Sequence, residues 1–147
     1  MKIKINRMKQ IPLFKDVDEK IMSKLIHNHE IYEKQYRKNT IVHSRGESCT
    51  MMEVVLAGNL VSYALAQNGS ESFVFEFKNK SLIAANLLFG NDNRYPFNIY
   101  CRTDCRLLHL TKSAVCELLK DLSFVVQYVR ILSQNSQGMN RKIAMFT

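Results

Sequence analysis

The chain has 147 residues, 46% of them apolar, and a net charge of +8, which is the length of one domain with apolar content for one core. No run reaches the roughly 18 apolar residues of a membrane span, and the N-terminus lacks the apolar core of a secretion signal, so a cytoplasmic protein with no membrane contact is expected. The positive balance suits an anionic partner such as DNA, with Lys2, Lys4, Arg7 and Lys9 crowding one terminus and Arg141-Lys142 near the other.

Residues 1–15 form a basic lead-in that closes on Ile11-Pro12-Leu13-Phe14. Asp16 and Glu19 have the D-x-x-E spacing of a capping box. Ile21, Leu25 and Ile26 then recur at helical spacing, predicting a short amphipathic helix that ends near His27-Asn28-His29. From Ile31 the period drops to two through Tyr32, Lys34 and Tyr36, and a second strand starts at Thr40-Ile41-Val42. Arg45-Gly46-Glu47 is a turn. Strands are predicted over Met51–Ala57 and Leu60–Ala66, on either side of Gly58-Asn59. Asn68-Gly69 is the strongest hairpin signal, because it supplies two residues tolerant of positive φ. Ser72–Phe77 follows as a half-buried strand.

A short apolar strand then leads from Ser81 to Ala84-Ala85, and Gly90-Asn91-Asp92-Asn93 favours a loop over a ladder. Phe97–Cys101 and Arg106–Leu110 read as strands bent at Thr103-Asp104. Thr111 or Ser113 caps a helix through Leu119, broken at Asp121-Leu122-Ser123. Short strands with turn signals at this spacing predict a mainly β fold, an antiparallel jelly roll (double-stranded β-helix) flanked by helices. In the last segment Val125, Val129, Leu132, Ser136, Met139, Ile143 and Phe146 alternate at spacings of four and three, a heptad seam. This predicts a long C-terminal helix that pairs with its twin in a parallel homodimer, the alternative being packing on its own sheet.

Pro12-Leu13-Phe14, the Gly46-Glu47 corner, Gly58 and Thr103-Asp104-Cys105-Arg106-Leu107-Leu108 together resemble the effector-sensing, cyclic-nucleotide-binding domain of the CRP/FNR family of transcription regulators. The resemblance covers residues 11–147 and implies a sensor body over 1–122 and a dimerisation helix over 123–147. The family's helix-turn-helix DNA reader is absent from this chain, so DNA contact would come only through that missing part. Counting back from Thr103 puts Ala84-Ala85 at the Gly-Glu that opens the family's phosphate-binding cassette and Tyr95-Pro96 at its closing Arg-Ser. A cyclic phosphate needs a guanidinium or exposed N–H groups, and a ribose hydroxyl needs a carboxylate. Ala84 and Ala85 supply neither, Tyr95 is neutral, and Pro96 lacks a backbone donor; Arg94 would serve if the loop is one residue shorter. The resemblance therefore implies a degenerate cassette that does not take cAMP. An unknown small-molecule effector would lie among Ala84, Ala85, Asn86, Leu87, Arg94, Tyr95, Pro96, Tyr63, Tyr128 and Leu132.

Two other readings stay open: a genuine cyclic-nucleotide-binding module using Arg94, and a cupin-type metalloenzyme. His27-x-His29-x3-Glu33 reproduces part of a cupin metal motif, but at a helix end and without its glycines. His43 and His109 have no evident acidic partner in the sequence. Cys49, Cys101, Cys105 and Cys116 lack metal spacing and read as reduced thiols, and residues 1–48 hold no cysteine for the family's iron–sulfur type of sensor. No nucleophile elbow, P-loop or dinucleotide fingerprint occurs. No cofactor, no metal and no catalysis are expected.

Overall fold

The computed structural model describes residues 3–65 and 71–145; the Asn68-Gly69 hairpin tip and Phe146 lie outside them. Eight strands form two antiparallel four-stranded sheets: β1 (Ile31–Tyr36), β2 (Ile41–His43), β3 (Met51–Ala57), β4 (Leu60–Leu65), β5 (Glu71–Phe77), β6 (Leu82–Ile83), β7 (Ile99–Cys101) and β8 (Cys105–Thr111). One sheet runs β1-β8-β3-β6 and the other β2-β7-β4-β5. This is the expected jelly roll, flanked by helices α1 (Ile5–Met8), α2 (Glu19–His27), α3 (Lys112–Leu118) and the long α4 (Leu122–Ala144).

Alternation along the strands divides the core in two. On β3, Glu53 reaches across to His43 of the opposite sheet, so Glu53 and Val55 point into the sandwich. Met52 and Val54 point to the other face, where α2 packs on β1 and α3 on β3 and β8. Leu13, Phe14, Met22, Leu25, Val115, Leu118 and Phe124 bury their side chains in this layer. Glu33, also on this outer face, is buried but accepts from Arg106 at 3.1 Å and lies 3.8 Å from Arg7.

Two readings near the N-terminus change. The first helix of the lead-in, Ile5–Met8, has no periodic signal, and its buried Met8 anchors it. The cap of α2 is Asp18, which accepts from the Lys20 amide, rather than Asp16. A 3₁₀ turn over Pro12–Phe14 and a further turn through Lys15 and Asp16 precede that cap. Thr111 caps α3 through the Ala114 amide. Asp121 ends one helix and begins the next, its carboxylate accepting from Ser123, Phe124 and the distant Asp18 amide.

Gly58 turns β3 into β4 at φ +92, and an added Cβ would lie 2.3 Å from the Asp104 carbonyl. Only glycine fits so close to another backbone. Three cysteines are buried and Cys116 is exposed, all four as free thiols. Burial, then the neighbouring Cys105, push the Cys101 thiol up to about 12. Among the described residues, no helix is long and apolar enough to cross a membrane.

Candidate functional site

A cleft of about 880 Å³ opens between the β4-β5 edge, the segment after β6, and α4. The segment begins at Ala84, whose φ of +70 lies in the left-handed region. An alanine held there costs about 1–2 kcal/mol relative to glycine. The strain is held in place by the turn that follows, in which Leu87 and Leu88 both donate to the Ala84 carbonyl. Ala85 is buried, and its carbonyl accepts the Tyr128 hydroxyl of α4 at 2.5 Å. Helix and cassette are thus tied by a buried hydrogen bond between an α4 side chain and the cassette backbone.

Seven of the ten residues predicted for the effector site line the cleft: Ala84, Ala85, Asn86, Leu87, Tyr95, Pro96 and Leu132. The other three lie elsewhere. Arg94 is exposed; its guanidinium donates to the Gly46 carbonyl at 3.0 Å, and its backbone forms an isolated β-bridge with Ser48 in the loop beside the cleft. Tyr63 stacks on Tyr100 at 5.7 Å and accepts from Arg102 at 3.2 Å, on the far face of β4. Tyr128 is buried beneath the cassette. Phe97, at the end of the expected cassette, and Phe75 on β5 line the cleft as the sequence reading expected, and residues it did not name complete the lining, notably Ser62, Phe77, Ile131, Ser136 and Met139. The aromatic alternation of β5 pointed to Phe75 and Phe77, but nothing in sequence marks Ser62.

Tyr95 joins this cleft to a polar cluster inside the sandwich. Its ring stacks on His43 at 4.2 Å and 10°. His43 Nδ1 lies 2.5 Å from a Glu47 carboxylate oxygen, and Nε2 bonds Glu53. His109 bonds the Tyr36 hydroxyl at 2.8 Å, stacks on Tyr32 and lies 3.9 Å from Glu53. Both histidines therefore have the acidic neighbours that sequence separation concealed. Glu53 sits opposite His109 across β3 and β8, and the second sheet brings in His43.

The two histidines titrate in opposite directions. Burial pulls the His43 imidazolium down, but the Glu53 and Glu47 carboxylates outweigh it and hold His43 above its usual value. His109 is pulled down to about 4, by burial first and then by the charges of His43 and Lys34. Burial pushes the Glu53 carboxyl up against the pull of His43. The Tyr36 hydroxyl is pushed up to about 12, by burial and then by Glu53, and Tyr95 is raised for the same two reasons. Among the described residues, no three His, Cys, Asp or Glu side chains are arranged to hold a metal ion. His27 ends α2 and His29 follows at φ +57.

The described residues form a two-sheet β sandwich with a turn after β6 and a long C-terminal helix. The cyclic nucleotide-binding domain model matches residues 33–121, and the chain belongs to that family. Comparison with curated protein sequences returns no match. Among solved structures, the chain is similar to a transcriptional regulator from Thermotoga maritima, at 21% identity over 86% of this chain and 97% of that one, with a TM-score of 0.72. It is similar to the sensor domain of the transcriptional regulator DNR from Pseudomonas aeruginosa, at 16% identity over 95% and 90%, with a TM-score of 0.73. The regulatory subunit of a cAMP-independent protein kinase A from Trypanosoma brucei matches at 17% identity over 90% of this chain and 46% of that one, with a TM-score of 0.69.

Proposed function

We propose that this chain is the effector-sensing and dimerisation part of a CRP/FNR-like transcription regulator, with a body over 1–122 and a pairing helix over 123–147, and that it does not respond to cAMP. One observation carries the reading: Leu132, Ser136 and Met139 of α4 both line the cleft and belong to the heptad seam. A ligand in the cleft would touch the side chains that set how two helices meet, and the Tyr128–Ala85 bond would transmit movement of the cassette to α4. A ligand that binds one arrangement better than another shifts the population of the two. Any DNA reader would lie outside this chain.

The seam supports pairing as well. Val129 is 54% and Ile143 57% exposed, and Met139 39%. They run roughly a quarter turn from the Phe124–Tyr128 face that packs on the body. A second copy would bury them residue against equivalent residue.

The case against cAMP is chemical. Ala85 offers no carboxylate and Pro96 no amide hydrogen, while Arg94 is bonded to Gly46. Lys80 and Lys142 stand on the lining, and they are what a nucleotide phosphate would have to use. The described fold is shared by a relative named as cAMP-independent, so the fold alone does not select cAMP. Calorimetric titration of the dimer with cAMP and with cGMP should give no binding. A dissociation constant in the low-micromolar range, lost in Arg94→Ala, would replace this reading with a cyclic-nucleotide module.

A further inference from the structure

Ser62 stands in the middle of β4, is 1% exposed and lies opposite Phe75 on β5 and Ile99 on β7. Its hydroxyl has no hydrogen-bond partner. A buried polar atom without a partner destabilises a fold and calls for an explanation. Water is a poor one, because an ordered water needs two to four polar partners, and the cross-strand neighbours Phe75 and Ile99 offer none. Ser62 lines the cleft, so the missing partner can be supplied from there.

The rest of the lining restricts what could supply that partner. Phe75, Phe77 and Phe97 on one side and Ile131 and Leu132 on α4 are apolar. Aromatic walls of this kind favour an aromatic guest through offset or edge-on contacts. A charge carried down to Ser62 would be desolvated, and the cation recorded against this wall, Lys142, is already engaged with the Phe75 ring at 4.7 Å. Of the lining carboxylates among the described residues, Glu76 is already paired with Lys78 at 3.1 Å and Arg102 at 3.8 Å. A phosphate or a sugar would need several donors at the floor, where one hydroxyl stands.

We propose that the effector is a neutral aromatic molecule carrying a hydroxyl or carbonyl group, its ring held between the phenylalanine wall and α4 and its polar group bonded to Ser62 Oγ. This rests on the effector-sensing reading and names the ligand class for that site. Ser62 is then the specificity-determining residue.

The test compares 2-naphthol with 2-fluoronaphthalene, which have similar shape and differ in the hydroxyl. The chain contains no tryptophan, so naphthol fluorescence can be followed without that background. The native chain should prefer 2-naphthol by roughly tenfold. Ser62→Ala should erase the preference while leaving 2-fluoronaphthalene binding unchanged, a result that mere structural damage would not give. Equal affinities in the native chain, a preference that survives Ser62→Ala, or no binding of either compound would each overturn the ligand class. Amide hydrogen exchange along α4 separates this from the sensing reading: Ser62-dependent binding that leaves α4 exchange unchanged would uphold the ligand class and sink sensing.

Discussion

Replacing His109 with glutamine should remove most of the acid sensitivity of this domain. His109 is buried beside Tyr32, Tyr36, Met51 and Glu53, and its imidazole is pulled from 6.5 to about 4. A folded-state value below the unfolded one contributes stability that is present above pH 6.5 and lost as the pH falls toward 4. At about 1.4 kcal/mol for each pH unit, the loss is about 3 kcal/mol. Glu53 acts in the opposite sense. Its carboxyl is raised by burial, so the folded chain takes up that proton first and gains stability as the pH falls. The native chain should therefore lose somewhat less than 3 kcal/mol across this window. In His109→Gln, which can still bond the Tyr36 hydroxyl, the fall should flatten or reverse. Surface groups such as Glu76, lowered by its bonds to Lys78 and Asn59, act alike in both proteins and cancel in the comparison.

On the alkaline side His43 takes over. Its folded value is raised, so its contribution is complete below pH 6.5 and disappears as the pH rises through the folded value. The stability profile should peak near pH 6.5. Urea denaturation followed by circular dichroism, at one protein concentration because dimers obey mass action, gives the profile directly. An acid limb of equal depth in native and His109→Gln proteins would refute the argument.

Asp121→Ala removes the acceptor for the Ser123, Phe124 and Asp18 amides and should cost about 1–2 kcal/mol, read as a lower urea midpoint at unchanged slope. Gly58→Ala forces a Cβ to within 2.3 Å of the Asp104 carbonyl at φ +92 and should cost at least about 2 kcal/mol in the same assay. Val129→Asp puts like charges face to face in the proposed pairing while disturbing nothing packed in the chain itself, since Val129 is exposed. Sedimentation should show a dimer for the native chain and a monomer for the variant, and an undisturbed dimer would place the interface elsewhere.

The strands were legible because alternation and turn chemistry agree along this chain. Met51–Ala57 is a strand over the predicted residues, and Gly58 marks the turn that backbone crowding requires. The cassette turn was legible from Ala84-Ala85. What did not show was everything that depends on the second sheet. His43 and Glu53 are ten residues apart and meet only because β2 and β3 lie in opposite sheets. Ser62 reads as one polar residue in a strand until its neighbours across both ladders prove to be Phe75 and Ile99. The commitment of Arg94 to Gly46 is likewise a matter of how two loops meet. Local patterns report which face a residue takes, and they carry no record of what the opposite wall presents.

The cassette separates two properties that a nucleotide pocket needs together. Its backbone persists: Ala84 holds the left-handed conformation at a cost glycine would avoid, and the Ala85 carbonyl accepts from α4. Its side chains at Ala84, Ala85, Tyr95 and Pro96 carry no charge. If the cassette served only to hold a phosphate, a strained turn without charged side chains would have no function, and relaxation at Ala84 would be favoured. The tie from Ala85 to Tyr128 gives the strained backbone a second role, because it fixes where α4 leaves the body and so where Leu132, Ser136 and Met139 lie. Under the proposed reading, coupling between cleft and helix thus needs no phosphate in the cassette. The proposed occupant then needs only to fit between the phenylalanine wall and α4, and Ser62 is the buried group that would discriminate among candidates.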